Sequence, residues 1–155
     1  MIDILALCAF NAAYAQAIDS DALEQWPTFF DEDCSYRITN VENEREGLPA
    51  GIVYADSRAM LQDRISALRQ ANIYERQRYR HIVGLPTVLG ANDGEAEVET
   101  PFLIVRIMRD GKMEVFATGC YRDKVKPNGD GSLRFAERIV VCDGSRFDTL
   151  VAIPF

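Results

Sequence analysis

The residues able to bind metals are few, and their spacing excludes most redox centres. The chain has one histidine, His81, and four cysteines, at positions 8, 34, 120 and 142. No Cys-x-x-Cys, Cys-x-His or Cys-x-x-His sequence occurs. An iron–sulfur cluster held by two cysteines and two histidines lacks a ligand here, as does a mononuclear iron that needs two histidines. The chain alone builds neither centre, and we interpret its cysteines as small buried residues of a reducing compartment.

His81 is the one histidine available for acid–base work. A serine or cysteine triad would have to use it, yet no Gly-x-Ser-x-Gly turn or phosphate-binding glycine fingerprint is present. Strand alternation places Tyr79, His81 and Val83 on one face. Two interpretations stay open. His81 is either a general base in a pocket, with Asp33 and Tyr54 or Tyr79, or a hydrogen-bonded histidine in a polar network or subunit contact.

Two further charged groups need a partner or a solvent-exposed position. Arg106 lies in the otherwise apolar run 102–107, and a charge in such a run is expected to be paired. Its partner is either a carboxylate of this chain, such as Glu137, or a group across a subunit contact. The acidic run 31–33 is expected to be a solvated turn, or else to supply a pocket carboxylate.

Length and charge limit the class of protein. A chain of 155 residues with 48% hydrophobic content is predicted to form one domain over residues 1–155. The net charge of −7 argues against nucleic-acid or anionic-membrane binding, which requires clustered lysine and arginine. The apolar segment 1–17 lacks the positive start of an export signal, and no stretch is long enough to span a bilayer. We expect a cytoplasmic protein.

The N-terminal part predicts two helices. The first spans residues 1–17 with an apolar stripe of Leu5, Cys8, Ala12 and Ala15, and turns Asn11 away from it. The second starts at Asp19 or Ser20 and stops before Pro27. It directs three apolar side chains to the core, namely Leu23, Trp26 and Phe30.

The rest of the chain predicts a sheet with one more helix. A strand over 34–39 is followed by a loop over 40–51, a short strand over 52–54 and a helix over 57–72 that buries Leu61, Ile65 and Leu68. Long antiparallel strands follow at 79–89, 98–109, 112–125 and 132–143, with a tight Asp110-Gly111 turn. The apolar segment 150–155 is expected to pack into the domain or a neighbouring chain. The pattern predicts an α+β fold, a cone-shaped curved sheet with N-terminal helices packed on it.

Long stretches of the chain carry a family resemblance. They are residues 11–15, 24–30, 54–57, 61–69, 71–76, 78–81 and 138–142. Through them nearly the whole chain resembles the small, or β, subunit of Rieske-type aromatic-ring-hydroxylating dioxygenases. The resemblance implies the cone fold shared by cystatin-like proteins, ketosteroid isomerase, scytalone dehydratase and nuclear transport factor two.

The resemblance also implies a division of labour between two chains. A large α subunit is expected to hold the Rieske [2Fe-2S] cluster, the mononuclear Fe(II) and the substrate, which is terephthalate or a related aromatic acid. The complex would add both atoms of O₂ to the ring as a cis-dihydrodiol, with electrons from NADH delivered through a reductase. Small subunits would contact one another as a trimeric base in an α3β3 assembly.

On this basis no catalytic, cofactor-binding or metal-binding residue is expected on this chain. The candidate residues for subunit contacts are Arg80, His81, Arg106 and Phe155. Two alternatives stay open, a stand-alone isomerase or dehydratase of the same cone fold and a protein that binds a small hydrophobic ligand.

Overall fold

One sheet and four helical segments make up the part of the chain that the computed structural model describes, residues 2–48, 51–71, 77–145, 151 and 153–155. The helices are α1 (Ile4–Asp19), a 3₁₀ helix (Leu23–Phe29), α2 (Val41–Arg45) and α3 (Arg58–Ala71). The strands are β1 (Phe30–Asn40), β2 (Val53–Ala55), β3 (Gln77–Val83), β4 (Thr87–Asn92), β5 (Glu95–Met108), β6 (Met113–Pro127) and β7 (Leu133–Cys142).

The strands form one curved, open sheet in the order β2-β1-β7-β6-β5-β3. Strand β4 pairs with the first half of β5, and β3 pairs with its second half. All pairs are antiparallel except β1 with β7, which run parallel. The predicted α+β fold with a curved, mostly antiparallel sheet is confirmed. No helix among the described residues has the length and apolar character needed to cross a membrane.

Helix α1 buries a face that matches the predicted one only in part, since Ala15 of the predicted stripe is buried. The side chains that point into the sheet are Leu7, Asn11, Tyr14 and Ile18, whereas Leu5 of the predicted stripe is 76% exposed. The prediction failed because Asn11 was assigned to solvent by residue type. Its side chain instead accepts a hydrogen bond from a buried arginine, which makes a polar residue favourable inside.

The second predicted helix begins later and continues past its predicted end. Asp19 closes α1, and Asp21 turns the chain with a φ of 61°. The 3₁₀ helix then includes Pro27 and buries Leu23 and Trp26, as expected. Phe30 is also buried, but as the first residue of β1.

Strand β1 and the segment after it depart from the predicted boundaries. The strand starts at Phe30, so the acidic run 31–33 lies in a strand and its prediction as a turn was wrong. The predicted loop after residue 40 contains α2, because the Asn40 side chain accepts a hydrogen bond from the Asn43 N–H at 2.8 Å and caps a helix there. Helix α3 buries Leu61, Ile65 and Leu68 as predicted.

The predicted single strand 79–89 is two strands. The chain leaves β3 at Gly84, whose N–H donates to the Pro101 carbonyl oxygen at 2.8 Å. A Cβ atom at position 84 would lie 2.7 Å from Pro101 Cγ, so the close approach requires glycine. Farther on, the predicted hairpin between β5 and β6 is confirmed, but its turn is longer than the two residues predicted. The Met108 N–H donates to the Lys112 carbonyl oxygen at 2.9 Å, and of Asp110 and Gly111 only Gly111 has a positive φ, 90°.

Candidate functional site

A buried arginine occupies the centre of the sheet's helix-covered face. Arg138 of β7 is fully buried, and its Nε and Nη2 atoms each lie 2.8 Å from one carboxylate oxygen of Asp123 on β6. Nη2 also donates to the Asn11 side-chain oxygen at 2.8 Å. The pair is cross-strand, because Asp123 and Arg138 face each other in the β6–β7 register. One charge from each strand is thus neutralised in the interior.

Aromatic rings surround this ion pair. The Arg138 guanidinium lies 3.9 Å from the Tyr121 ring centroid, 4.0 Å from that of Phe135 and 4.3 Å from that of Tyr14. These distances are those of cation–π contacts, in which the flat guanidinium rests on electron-rich ring faces. The charged group therefore has both a hydrogen-bonding partner and a packed environment.

The pair is poorly suited to proton transfer. Burial raises the pKa of the Asp123 carboxyl, and the adjacent guanidinium opposes that rise. Burial by itself would lower the pKa of Arg138, but Asp123 raises it above its usual value. Both carboxylate oxygens already accept hydrogen bonds from Arg138. The arrangement stabilises a fixed charge pair rather than a general base.

His81 is held by Asp19 at the end of α1. Its Nδ1 lies 2.6 Å from Asp19 Oδ1, and its backbone N–H donates to Asp19 Oδ2 at 2.8 Å. The side chain is buried, and its Nε2 atom has no hydrogen-bond partner in the part of the chain that the structure describes. The interpretation of His81 as part of a polar network agrees with this geometry. Arg80, on the opposite face of β3, is exposed, and its Nη1 lies 4.0 Å from Asp19.

The alternative acid–base set is not assembled. Tyr79 lies near His81, with ring centroids 6.3 Å apart. Asp33 is exposed on β1, and Tyr54 is exposed on β2. Strands β7, β6 and β5 separate β1 from β3 in the sheet. Asp33 and Tyr54 thus lie near one edge of the sheet, and His81 lies near the other.

Arg106 pairs within its own chain. Its guanidinium contacts the carboxylate of Glu114, the residue opposite it in the β5–β6 register. The specific expectation of Glu137 was wrong, because Glu137 lies on β7 and its carboxylate is 3.8 Å from Lys124 Nζ. The Arg106 guanidinium also lies 4.6 Å from the Phe116 ring centroid.

The end of the described chain packs into the domain. Val151, Ile153 and Phe155 are buried; Leu150 lies outside the described residues. The main-chain oxygen of Phe155 accepts a hydrogen bond from the Tyr14 hydroxyl at 2.5 Å. The segment therefore fills the interior of its own domain, one of the two outcomes predicted for it.

The opposite face of the sheet carries one group of exposed apolar residues. Where β3, β5 and β6 pair, the side chains alternating with the buried ones form a patch that we call the outer apolar face. Its members are Ile82, Leu103, Val105, Ile107, Met113 and Val115. Three of them, Ile82, Met113 and Val115, are more than half exposed, at 58%, 69% and 63%. A contiguous apolar patch on a sheet is typical of a protein contact.

No metal-binding group of three His, Cys, Asp or Glu side chains occurs in the described parts of the chain. The four cysteines are free thiols, and Cys34 and Cys142 are buried. Burial raises the pKa of the Cys34 thiol to about 11 and that of Cys142 to about 12. These thiols stay protonated at neutral pH, which makes them poor nucleophiles and metal ligands.

Comparison with known proteins decides the family. The profile described as ring hydroxylating beta subunit matches residues 13–149. The chain belongs to the ring-hydroxylating β-subunit family. The predicted small-subunit role in a ring-hydroxylating complex is thereby confirmed, and such a β subunit implies an α subunit as its partner.

Individual relatives agree with this assignment. The chain is 60% identical over 154 residues, 99% of each chain, to subunit beta 1 of the terminal oxygenase component of terephthalate 1,2-dioxygenase from Comamonas sp.. It is 41% identical over 141 residues to the anthranilate 1,2-dioxygenase small subunit of Burkholderia cepacia, covering 91% of this chain and 87% of that one. A crystal structure assigned to the β subunit of an aromatic-ring-hydroxylating dioxygenase from Novosphingobium aromaticivorans superposes with a TM-score of 0.90, at 37% identity, covering 98% of this chain and 96% of that one.

Sequence reasoning about this β subunit missed its central ion pair. Arg138 lies in the predicted strand 132–143, but neither Asp123 nor Asn11 was predicted as its partner. A detectable signal was present, since Asp123 and Arg138 are charged residues on the buried faces of consecutive strands. The helix residue Asn11 gave no comparable signal.

Proposed function

We propose that this chain is the structural, non-catalytic small subunit of an aromatic-acid dioxygenase whose substrate is terephthalate. The observation that carries the proposal is the 60% identity, over 99% of both chains, to the terephthalate 1,2-dioxygenase β subunit. Related aromatic acids are the next candidates, since the anthranilate enzyme's small subunit is 41% identical. The complex would convert the ring to a cis-dihydrodiol with O₂ and electrons from NADH passed on by a reductase.

The interior chemistry supports a role without catalysis. Asp123 and Arg138 neutralise each other, and His81 is tied to Asp19. The acid–base candidates Asp33 and Tyr54 lie exposed near the other edge of the sheet. Catalysis is therefore assigned to the large subunit.

The iron centres are assigned to the large subunit for a reason of ligand supply. A Rieske cluster takes two histidines, and a two-histidine, one-carboxylate iron takes two more, whereas the chain has one histidine. Its four free thiols are consistent with the reducing conditions of the cytoplasm, where we place the complex.

The outer apolar face is proposed as the main contact between small subunits in an α3β3 assembly. It joins three strands and lies opposite the helix-covered face, so no helix of the described chain shields it. Arg80, exposed on β3 next to Ile82, would supply a polar contact at its rim. His81, Arg106 and Phe155 remain interface predictions. Because they are buried within the chain, they would act by fixing the strands beneath the contact surface.

Co-expression with the large subunit tests the proposal. A tagged small subunit should retain the iron–sulfur partner on an affinity column, and the complex should elute at the size of three of each chain. The chain alone should oxidise no aromatic acid. A monomer or dimer that retains no partner, or a lone chain whose isomerase or dehydratase turnover disappears in His81→Ala, would refute the assignment.

Substrate identity is tested on the same purified complex. With its reductase and NADH, the complex should consume O₂ in the presence of terephthalate and release a cis-dihydrodiol. Anthranilate and benzoate are the comparison substrates. Faster turnover of either acid would leave the proposed small-subunit role intact, but that acid would then replace terephthalate as the proposed substrate.

A further inference from the structure

Phe155 lies inside the domain in the manner of a bound ligand. Its side chain is fully buried, and the residue contacts elements far from it in the chain, including α1, β1 and β3. Both its ring and its main-chain polar atoms are recognised. These are the two kinds of contact by which a ligand pocket holds a small aromatic molecule.

The polar end is held by two tyrosines. Tyr14 donates its hydroxyl proton to the main-chain oxygen of Phe155 at 2.5 Å, and the Tyr36 hydroxyl lies 3.3 Å from the same oxygen. The Phe155 N–H donates to the Tyr36 oxygen at 3.2 Å. Trp26 fixes the first tyrosine, since its indole N–H donates to the Tyr14 oxygen at 2.9 Å. Two oriented hydroxyls thus converge on one oxygen.

The apolar end is held by a cage of rings. The Phe155 ring centroid lies 5.8 Å from that of Tyr79 and 5.7 Å from that of Phe116, both in edge-on orientation. The Tyr79 hydroxyl is buried without a hydrogen-bond partner among the residues that the structure describes. The cage therefore encloses one ring, and the Tyr79 hydroxyl beside that ring could bond to a ligand.

We propose that the interior of the domain is a ligand pocket occupied by the chain's own Phe155. The ligand class that matches the pocket is a single aromatic ring with a carbonyl acceptor two carbon atoms away from the ring, the spacing found in phenylalanine. A neutral ketone fits better than an ion, because no charge would be buried. The proposal is independent of the small-subunit role and explains why the pocket performs no chemistry there.

Three variants of the full chain separate the parts of this site. Deletion of Phe155 opens the cage and frees both tyrosine hydroxyls. Phe155→Ala opens the cage only, because the main-chain oxygen at 155 stays in place. Leu61→Ala is the matched control, since it removes a fully buried side chain of α3. The probes are 4-phenyl-2-butanone, which has the ring-to-carbonyl spacing of phenylalanine, and 2-methyl-4-phenyl-1-butene, in which CH₂ replaces the carbonyl oxygen.

Affinity is measured by calorimetry and by the shift of the unfolding midpoint with added probe. The deletion variant should bind 4-phenyl-2-butanone roughly tenfold more tightly than 2-methyl-4-phenyl-1-butene, the ratio that one hydrogen bond supplies. Tyr36→Phe in the deletion background should reduce that preference. Phe155→Ala should bind both probes about equally, Leu61→Ala should show no preference for the ketone, and the unmodified chain should bind neither.

Several results overturn the proposal. A folded deletion variant that binds neither probe, or binds both equally, shows that the cage collapses or that the hydroxyls recognise nothing. If the deletion variant does not fold, 4-phenyl-2-butanone present during refolding must restore its native circular dichroism. Failure of that rescue also overturns the proposal.

Discussion

Arg138 and Asp123 form a two-point ion pair in which both N–O distances are 2.8 Å and both side chains are buried. The pair links β6 to β7, and Asn11 extends it to α1. The interior of this β subunit is thus organised around polar contacts as well as apolar packing. Removal of one partner of the Arg138–Asp123 pair is expected to lower stability, because a buried charge without its partner is strongly unfavourable.

Asp123→Asn should lower the free energy of unfolding by about 3–5 kcal/mol, because Arg138 would stay buried without a counter-charge. Urea unfolding monitored by circular dichroism measures the change. Glu137→Gln is the matched control. It breaks the 3.8 Å contact with Lys124, in which both side chains are partly exposed, and should cost below about 1 kcal/mol. Equal losses in the two variants would contradict the role assigned to the buried pair.

Asp19→Ala should detach the end of α1 from β3. The substitution leaves the buried Nδ1 and backbone N–H of His81 without their acceptors, so we expect a loss of about 1–3 kcal/mol. Hydrogen exchange of the His81 amide should accelerate more than that of amides paired within the sheet. Glu24→Ala, whose carboxylate pairs with Arg69 near the surface, is the control and should leave that amide protected. An unchanged exchange rate of the His81 amide would show that Asp19 does not hold the end of α1 to β3.

Stability should fall in mildly alkaline solution. Burial raises the pKa of the Cys34 thiol to about 11 and that of Cys142 to about 12, from a reference value of 9.0. Because the unfolded chain loses these protons first, the contribution is complete below about pH 9 and is lost as the pH rises toward the folded values. Each thiol contributes up to about 1.4 kcal/mol per pH unit. Urea midpoints between pH 8 and 9.7 test this, and Cys142→Val should flatten the slope. An unaltered slope in that variant would contradict the assignment.

Gly119→Ala should be strongly destabilising. A Cβ atom at 119 would overlap the Val141 carbonyl oxygen of the neighbouring strand, and relief of that overlap costs about 1–3 kcal/mol or more. Gly90→Ala is the control, since a Cβ atom there meets nothing within 4 Å and the residue does not have a positive φ. Thermal unfolding of the two variants should differ clearly. Similar midpoints would show that β6 and β7 can separate at this point.

Val115→Lys should weaken association of small subunits while leaving the fold intact, because it places a charge in the outer apolar face. The purified variant should elute later than the parent in sizing with light scattering and should unfold at a similar urea concentration. Met60→Lys is the control, since Met60 is an exposed apolar residue on α3, outside that face. Equal elution of all three proteins would place the contact elsewhere.

The sequence predicted the elements whose burial follows a simple period. Helix α3, with Leu61, Ile65 and Leu68 inward, and the hairpin at Gly111 agree with the structure. The face of α1 was missed because Leu5 looked like core and Asn11 like surface. Asn11 is a core residue because its side chain bonds to Thr100 and Arg138, which lie 89 and 127 residues away in the chain. Period and residue type cannot reveal a partner that tertiary packing supplies.

The candidate site, like the fold, could be predicted only in part from the sequence. Counting histidines was enough to argue against an iron centre built by this chain alone, since that argument needs no geometry. The partner of Arg106 was predicted on the wrong strand, because its correct partner, Glu114, depends on the β5–β6 register and its irregularity between Ile104 and Val105. Register is set by the whole sheet rather than by a local pattern.

The parallel pairing of β1 with β7 has a consequence for biosynthesis. It joins residues 30–40 to residues 135–142, so a ribosome must release nearly the whole chain before the first strand finds its neighbour. Until then β1 has only the three-residue strand β2 as a partner, and its remaining edge is open to unwanted pairing. During this interval, chaperones that cover the open edge of β1 would prevent unwanted pairing. Translation products that end before β7 would leave β1 permanently without its partner strand.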